Sequence, residues 1–492
     1  MEEKKITIDP ITRLEGHGKI DIFLNDDGNV DRAYYQIPEL RGFEVFCKGR
    51  PAEEMPQITS RICGVCPTAH HMAATKTLDS LYQTEPPEAA RKIRELLYHS
   101  FMVEDHALHI YFLSGPDFIV GPDTPKQKRN LIGVVEQVGV EKAKYIISMR
   151  RKLREFISSV GGKITHPVFG LPGGVAQGIS SAQQNDIKKL AEEGLEFAKF
   201  TRDVFNDLVL ANDSYVEMIT SEAYSHQTYY MSLVDKDNRL NFYDGDLRVV
   251  DQSGEEYVKF PVEDYYNQIA EQPQPWCYVR FPYLKNIGWK GFVDGPDSGI
   301  LAVAPLARLN ASEGLTTPEA QKEYEKYFDA LGGKPVHYTL ANHWARVIEM
   351  LYAAERFYEL SQDQQITSDQ IRNIPDNVPD IGYGVVEAPR GTLFHHYETD
   401  EKGKLEKVNL IVATQNNSGR IAMSVEKAAK ALIKNGEADE GLLNQIEMAF
   451  RAYDPCNACA THAMPGEADL VLNLRDKSGT LVNKISRYSV DT

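Results

Sequence analysis

The sequence has no basic excess, no long apolar run and only six cysteines among its 492 residues. Lys and Arg number 54 against 71 Asp and Glu, which gives a formal net charge of −17. Nucleic acids and anionic lipid surfaces attract basic proteins, so we expect neither as a main partner. No stretch approaches the roughly 18 apolar residues of a membrane-spanning helix, so we expect no direct membrane insertion.

An export signal is also missing, because Met1–Lys5 is mostly charged and no apolar stretch follows it. We therefore expect a cytoplasmic protein, in a compartment whose reducing conditions disfavour disulfides. Cysteines in such a chain are thiols, and paired ones indicate metal binding or redox chemistry. The chain exceeds the size at which a single core stops growing, yet it shows no repeat or long linker, so we expect one large unit or two intimately packed domains.

The first part of the chain changes from sheet to helix. Alternating apolar and polar residues predict strands over 4–8, 19–24 and 30–35, which form an N-terminal sheet within residues 1–40. Apolar residues at three- and four-residue spacing then predict a helical body over 41–223. The helices expected there are 68–82, 87–113, 135–160 and 181–219.

The second part is mixed. Residues 224–310 are rich in Tyr, Asp, Gly and Pro and predict short strands and loops inserted on the helical body. Residues 311–462 return to helix and contain a late hairpin, and 463–492 form a C-terminal extension with its own hairpin. Within 311–462 we expect helices over 318–331, 341–360, 423–434 and 438–452, and strands over 385–388, 392–398 and 408–414. The predicted fold class is α+β, mostly helical, with a central helical bundle and small peripheral β-sheets.

Four of the cysteines fall into two Cys-x-x-Cys pairs, Cys63 with Cys66 and Cys456 with Cys459. This spacing lets both sulfurs of a pair face one metal, and thiolates select zinc, iron–sulfur clusters, or nickel with iron. The pairs of a zinc site are normally about 12–20 residues apart, whereas 390 positions separate Cys66 from Cys456. A structural zinc clamp, a thioredoxin-like motif and unrelated buried thiols stay open beside a metal site that joins the two ends of the chain.

A histidine follows each pair. His70 lies four residues after Cys66, so on a helix it shares that face and can donate a hydrogen bond to a metal-bound sulfur. His462 lies three residues after Cys459, also about one helical turn away. A lone histidine is more often a packing residue than part of a site, but the matching positions favour a shared function.

These residues resemble the large subunits of nickel–iron hydrogenases. Arg61–His70 is similar to the family's N-terminal cysteine signature and Asp454–His462 to its C-terminal one. Arg13–His17 resembles the opening motif, Arg41–Glu44 stands before the first cysteines, and Ala388–Gly391 precedes the late hairpin. The matches run in the family's order along nearly the whole chain.

The resemblance implies that all four thiolates bind nickel. Cys66 and Cys459 would also bridge to an iron, while Cys63 and Cys456 would bind nickel alone. The iron would carry carbon monoxide and cyanide ligands, which the chain does not encode. The reaction implied is the reversible oxidation of dihydrogen to protons and electrons.

Several further residues receive catalytic roles from the resemblance. Dihydrogen is a very weak acid, so its cleavage needs a metal and a nearby base. Cys456 would take the proton and Glu15 would relay it outward. Arg390 would stand over the open metal position as a fixed positive charge, and Thr414 would offer its hydroxyl to a cyanide nitrogen.

A second metal and a processing step are implied near the C-terminus. Glu44, the carbonyl of Leu410 and His462 would hold a magnesium ion, which commonly keeps several waters and few protein ligands. In the resembled family a dedicated maturation protease removes the tail after the last histidine. The cleavage expected here lies between His462 and Ala463.

Electrons must leave such a site through iron–sulfur clusters, and the paired cysteines leave none for a cluster in this chain. The resemblance therefore implies an iron–sulfur small subunit, together with further flavin or iron–sulfur subunits. The acceptor would be nicotinamide, a deazaflavin or a ferredoxin/heterodisulfide system, and no Gly-rich dinucleotide fingerprint indicates that this chain binds it. Two alternatives are a non-catalytic relative, the quinone-site subunit of complex I, which lacks the paired cysteines, and a zinc-clamped scaffold without catalysis.

Overall fold

A computed structural model of the protein describes residues 4–462 and 470–487. Helices dominate, and the sheets are small, as the sequence predicts. The α-helices are α1 (Phe43–Phe46), α2 (Met55–Thr59), α3 (Pro67–Leu81), α4 (Glu88–Leu108), α5 (Leu131–Val138), α6 (Val140–Gly161), α7 (Ser181–Phe205), α8 (Asp213–Ile219), α9 (Tyr265–Gln268), α10 (Pro305–Ala311), α11 (Pro318–Ala330), α12 (Asn342–Gln362), α13 (Ala413–Leu432) and α14 (Glu440–Arg451).

The strands form short sheets, antiparallel apart from one parallel pair, β11 with β6. Their orders are β1-β2-β3, β4-β5, β11-β6-β7-β8, β10-β9, β12-β13-β14 and β15-β16. The strands are β1 (Lys5–Ile8), β2 (Lys19–Leu24), β3 (Val30–Gln36), β4 (Gly170–Leu171), β5 (Gly174–Val175), β6 (Tyr229–Val234), β7 (Asp246–Val250), β8 (Glu256–Phe260), β9 (Ile269–Gln274), β10 (Cys277–Leu284), β11 (Leu301–Ala302), β12 (Ile381–Ala388), β13 (Gly391–Thr399), β14 (Leu405–Ile411), β15 (Leu470–Arg475) and β16 (Leu481–Arg487).

The main core surrounds α4 and α12, whose side chains are buried around most of the helix circumference. A helix with this burial has neighbours on all sides rather than a face toward water. Helix α12 packs on α4, α7 and α11, while α3 packs on β12 and β13. The start of α3 and the turn between β12 and β13 are thereby brought to the centre of the molecule.

A second apolar cluster joins the sheet of residues 229–302 to the late hairpin. Met231, Leu233 and Leu247 from β6 and β7 pack with Val385 of β12 and Phe394 of β13. The strands and short loops expected for residues 224–310 are present, although the last of these residues form α10. This segment therefore shares a core with the hairpin rather than standing apart from it.

Most predicted elements are confirmed, including the N-terminal sheet, α3, α11, α12, α14 and the β15–β16 hairpin. Two predicted helices are each broken into two. The helix expected over 135–160 is interrupted at Gly139, whose φ of 88° lies outside the helical region. The helix expected over 181–219 is α-helical to Phe205, continues as a π-helical turn over Asn206–Leu210 and then stops. Helix α8 starts anew where the Asn212 side chain accepts from the Ser214 N–H at 3.1 Å.

Two boundaries near the second cysteine pair were also predicted wrongly. The strand expected over 408–414 ends at Ile411, and Thr414 lies in the first turn of α13. The helix expected to begin at residue 423 begins at Ala413, because the Gln415 side chain accepts from the Val412 N–H at 3.2 Å and starts it earlier. Within the described ranges, no helix has both the length and the hydropathy needed to span a bilayer.

Candidate metal centre

The four paired cysteines meet at one buried point, where the ends of the chain come together. Cys63 Sγ lies 3.3 Å from Cys456 Sγ, and Cys66 Sγ lies 3.7 Å from Cys459 Sγ. All four sulfurs lie within 4.8 Å of one another, and each cysteine is at most 5 % exposed. None of them is in a disulfide, so the four thiol groups are all available to one ion.

The first pair is shaped by the start of α3. Cys66 precedes Pro67 at the first helical position, where the missing N–H of proline costs nothing. The backbone N–H groups of Val65 and Cys66 donate to Cys63 Sγ at 3.2 and 3.0 Å. Burial raises the pKa of Cys63, but hydrogen bonds from the other cysteine sulfurs outweigh it and hold this pKa well below its ordinary value.

The second pair is held against the N-terminal segment. The Glu15 N–H donates to the Pro455 carbonyl at 3.3 Å, and the Asn457 N–H donates to the Glu15 carbonyl at 2.9 Å. Gly16 has a φ of 82°, and a Cβ at this position would lie 2.6 Å from the Ala458 nitrogen. Only glycine permits this close approach of the two backbone segments. The glycine that follows Glu15 in the opening motif is therefore required for packing.

Glu15 reaches the centre as expected. Its Oε2 lies 2.9 Å from Cys456 Sγ and accepts from the Ala458 N–H at 3.2 Å. Burial and the neighbouring Cys63 raise the pKa of this carboxyl, against hydrogen bonding from Cys456 and the charge of Arg390. A carboxyl in direct contact with a thiol can exchange a proton with it.

Arg390 lies in the two-residue turn between β12 and β13, since Ala388 pairs with Gly391. Its guanidinium is 2.9 Å from an Asp454 carboxylate oxygen and 3.4 Å from one of Asp105. Burial opposes its charge, but Asp105, Asp454 and the thiols raise the pKa of Arg390 well above its ordinary range. Burial also raises the pKa of Asp105, to about 7.

Thr414 and His70 both lie in the surrounding shell. The Thr414 hydroxyl oxygen accepts from the Cys456 N–H at 2.9 Å, which leaves its own hydrogen free to be donated. His70 Nδ1 lies 3.3 Å from His395 Nε2, and its Nε2 has no hydrogen-bond partner among the described residues. Burial lowers the pKa of His70 to about 4, so its ring is neutral.

The three residues expected to bind magnesium also meet. Glu44 Oε1 lies 3.1 Å from His462 Nδ1 and accepts from the Leu410 N–H at 2.8 Å, so Leu410 is linked here through its N–H. Burial raises the pKa of Glu44, but His462 outweighs it and holds this pKa below its ordinary value. Ala463, on the far side of the expected cleavage position, lies outside the described residues.

Sequence reasoning assigned no individual role to several residues of this region. Arg41 donates to the carbonyls of Ile62 and Ala458, and so links the two cysteine pairs. The Gln415 amide donates to Glu271, whose pKa burial and the charge of Glu44 raise to about 7. Asp105 and Glu271 lie in a helix and a strand with no local motif, so no sequence signal marked them.

These residues suit a soft metal ion. Four buried sulfurs at these separations would repel one another as bare thiolates, whereas a shared cation neutralises them. Acidic, basic and hydroxyl groups adjoin the sulfurs, as Glu15, Arg390 and Thr414 show. The fold and this site define a metalloenzyme with a deeply buried four-thiolate centre.

The comparisons with known proteins give the family. The model described as nickel-dependent hydrogenase matches residues 41–159 and 135–462, and one described as HoxL-like matches residues 5–40. The chain therefore belongs to the nickel-dependent hydrogenase family. It is the catalytic large subunit of a nickel–iron hydrogenase, an oxidoreductase acting on dihydrogen.

Relatives support this along the whole chain. The chain is 46 % identical over 486 residues to an iron-sulfur subunit of the F420-non-reducing hydrogenase of Archaeoglobus profundus, covering 99 % of this chain and 100 % of the relative. It is 35 % identical over 500 residues to the beta subunit of the NAD-reducing hydrogenase HoxS of Cupriavidus necator, covering 98 % and 100 %.

Solved structures share the fold. A crystal structure of an NAD⁺-reducing [NiFe]-hydrogenase in the H₂-reduced state matches with a TM-score of 0.87 at 36 % identity, over 93 % of this chain and 99 % of that one. The Ni-Fe-Se hydrogenase of Desulfovibrio vulgaris Hildenborough in the reduced state, at 23 % identity and a TM-score of 0.74 over 94 % and 100 %, shares the fold. The zinc scaffold and the complex I relative are therefore set aside.

Replacing one sulfur tests the shared site. Cys459→Ser substitutes a harder oxygen for a thiolate that lies 3.7 Å from Cys66 Sγ, so the purified protein should lose most of its bound nickel. Cys47→Ser is the matched control, because Cys47 is equally buried and outside the cluster. Elemental analysis by mass spectrometry measures both, and equal nickel in the two variants would contradict a four-thiolate site.

Proposed function

We propose that the thiolates of Cys63, Cys66, Cys456 and Cys459 would together hold a nickel–iron centre. Its iron would carry carbon monoxide and cyanide, which the chain does not encode. The convergence of four buried sulfurs within 4.8 Å is the observation that carries this proposal. When bound, the metal centre polarises dihydrogen for heterolytic cleavage and takes up its electrons.

The proton leaves through the chain's own side chains. The Cys456 thiolate accepts it, and Glu15 Oε2, 2.9 Å away, takes it over. Glu15 is only partly buried, so it connects the buried cysteines with the outside. The raised pKa of Glu15 brings the carboxyl closer to the working pH, which suits a group that both accepts and gives up a proton.

Arg390 supplies fixed positive charge over the sulfurs. Its ion pairs with Asp105 and Asp454 hold the guanidinium in place, and such a preformed charge acts without reorganisation during the reaction. Thr414, whose hydroxyl oxygen accepts from the Cys456 N–H, would offer its free hydroxyl hydrogen to a cyanide nitrogen. His70, through the unpartnered Nε2, donates to a metal-bound sulfur.

A magnesium ion is proposed at Glu44, Leu410 and His462. The grouping of a carboxylate and an imidazole 3.1 Å apart with the backbone of Leu410 supports it. Glu271 adds a second carboxyl nearby, through Gln415, which also contacts the His462 ring at 3.1 Å. Magnesium favours such oxygen-rich sites with several waters.

The electrons pass to partner subunits. The described residues hold one cysteine cluster, so iron–sulfur clusters belong to a small hydrogenase subunit, with further flavin or iron–sulfur subunits beyond it. The relative named F420-non-reducing is 46 % identical and the NAD-reducing one 35 %. We therefore propose an acceptor other than the deazaflavin. We also propose that the enzyme works in the cytoplasm.

We further propose that residues 1–462 are one catalytic unit and that 463–492 is an extension removed by a maturation protease. Its described strands, β15 and β16, pair with each other. Their side chains Leu474, Leu481, Val482 and Ile485 are exposed. These described side chains of the tail therefore lie outside the core, and loss of the tail is compatible with the fold.

The cofactor is tested on the purified native enzyme. We expect nickel and iron in equal amounts by elemental analysis, and infrared bands of metal-bound carbon monoxide and cyanide. A Thr414→Val variant, which removes the hydroxyl next to Cys456 with little change in volume, should shift a cyanide band and leave the carbon monoxide band nearly in place. Zinc alone without such bands would refute the nickel–iron centre.

The proton relay is tested with Glu15→Gln. The amide cannot carry the proton, so turnover should fall by about 10² to 10⁴-fold, while nickel content and infrared bands stay unchanged. Glu39→Gln is the control, because this carboxylate contacts His17 rather than a cysteine sulfur. Turnover of Glu15→Gln close to that of the control would exclude Glu15 as the relay.

Intact mass tests the processing step. The active enzyme should end at His462 and weigh 30 residues less than the encoded 492. The control is the same chain produced without nickel, which should keep its tail. A full-length chain in catalytically active protein would rule the cleavage out.

A further inference from the structure

The turn that carries Arg390 has three consecutive backbone carbonyls held by buried side chains. Arg308 Nη1 donates to the Ala388 carbonyl at 2.5 Å, and its Nη2 donates to the Pro389 carbonyl at 3.2 Å. Asn417 Nδ2 donates to the Arg390 carbonyl at 2.8 Å. Arg308 is in α10 and Asn417 in α13, so two separate helices hold the same turn.

Arg308 is itself fully fixed. It is 0 % exposed, its Nε donates to Glu349 at 2.6 Å, and its Nη1 donates to Glu387 at 3.1 Å. Glu349 also contacts His106 Nε2 at 3.1 Å. The planar guanidinium serves all these acceptors at once, which the single ammonium of lysine cannot do.

Asn417 joins the turn to the start of α10. Its Oδ1 accepts from the N–H groups of Val303 and Ala304 at 2.8 and 3.1 Å, while its Nδ2 serves Arg390. Gly391, with a φ of 131°, lies so near that a Cβ would be 2.4 Å from the Val303 side chain. The turn therefore has no room to shift toward α10.

We propose that Arg308 and Asn417 are positioning residues of the hydrogenase reaction, which fix the backbone of residues 388–391 and thereby the Arg390 guanidinium beside the thiolates. Neither side chain is hydrogen-bonded to a cysteine. They act through Arg390, so this inference rests on the proposed role of that residue. A displacement near 1 Å at a reacting centre can cost about 10²-fold in rate.

The first test measures the turn without relying on activity. Arg308→Lys keeps a positive charge beside Glu349 but loses the forked guanidinium that donates to the Ala388 and Pro389 carbonyls. Asn417→Asp keeps the acceptor for the Val303 and Ala304 N–H groups but loses the amide donor to the Arg390 carbonyl. Hydrogen exchange of the peptide spanning 385–394 should be at least about tenfold faster in both variants. Unchanged exchange in both would overturn the proposal.

Matched controls exist elsewhere in the fold. Arg94→Lys alters an equally buried arginine that holds Asp79 and the carbonyls of Leu171 and Gly174. Asn310→Asp alters a buried asparagine whose amide donates to the Val336 carbonyl at 2.7 Å. Neither should change exchange in 385–394, and a change as large as in the test variants would also overturn the proposal.

The second test is a double-mutant cycle with Arg390→Lys, on preparations of equal nickel content. Arg308→Lys alone should lower kcat by about 10- to 100-fold, but it should cause no further loss in the Arg390→Lys background. If the two losses in kcat multiply, Arg308 acts through a general structural effect and its positioning role is refuted. The proposed role of Arg390 would not be affected by that outcome. Wild-type turnover in Arg390→Lys would instead remove the proposed role of Arg390.

Discussion

The crowding of four buried sulfurs at one point is the constraint on which the other features of this fold depend. Cys63 and Cys456 are 393 positions apart in the chain and 3.3 Å apart in space, so the two ends of the protein must close on each other. Thiolates at that distance are stable only with compensating charge. The Cys63 sulfur receives two backbone N–H groups, and Arg390 adds a full positive charge.

That charge creates its own requirement, because a buried arginine must be paired. Arg390 is matched by Asp105 and Asp454, and Arg308, behind the turn, is matched by Glu349 and Glu387. Replacing a buried ion pair by apolar residues is often neutral or stabilising, so such pairs are weak sources of stability. Their contribution here is to fix the positions of Arg390 and Arg308, because each guanidinium satisfies its carboxylate partners in one position only.

The sequence predicted what depends on short spacing and missed what depends on tertiary contact. The two cysteine pairs and the Glu15 motif are local patterns, and they located the centre. The start of α13 was missed because its first turns consist of buried polar residues, such as Asn416 and Asn417, which bond to the backbone of the hairpin. Hydrophobic periodicity cannot reveal a helix whose buried face is polar.

The proposed removal of the tail is constrained by the buried contacts of His462, the last residue before the cleavage position. His462 is only 4 % exposed, its ring contacts Glu44 and Gln415 at 3.1 Å each, and its carbonyl accepts from the Glu44 N–H at 3.3 Å. A protease needs an accessible, extended backbone. These contacts make the His462 side of the His462–Ala463 peptide bond inaccessible to it. Cleavage after His462 therefore requires that the contacts with Glu44 open or form last. Closing the contacts between His462 and Glu44 and burying the thiolates are then one step, since His462 follows Cys459 by only three residues.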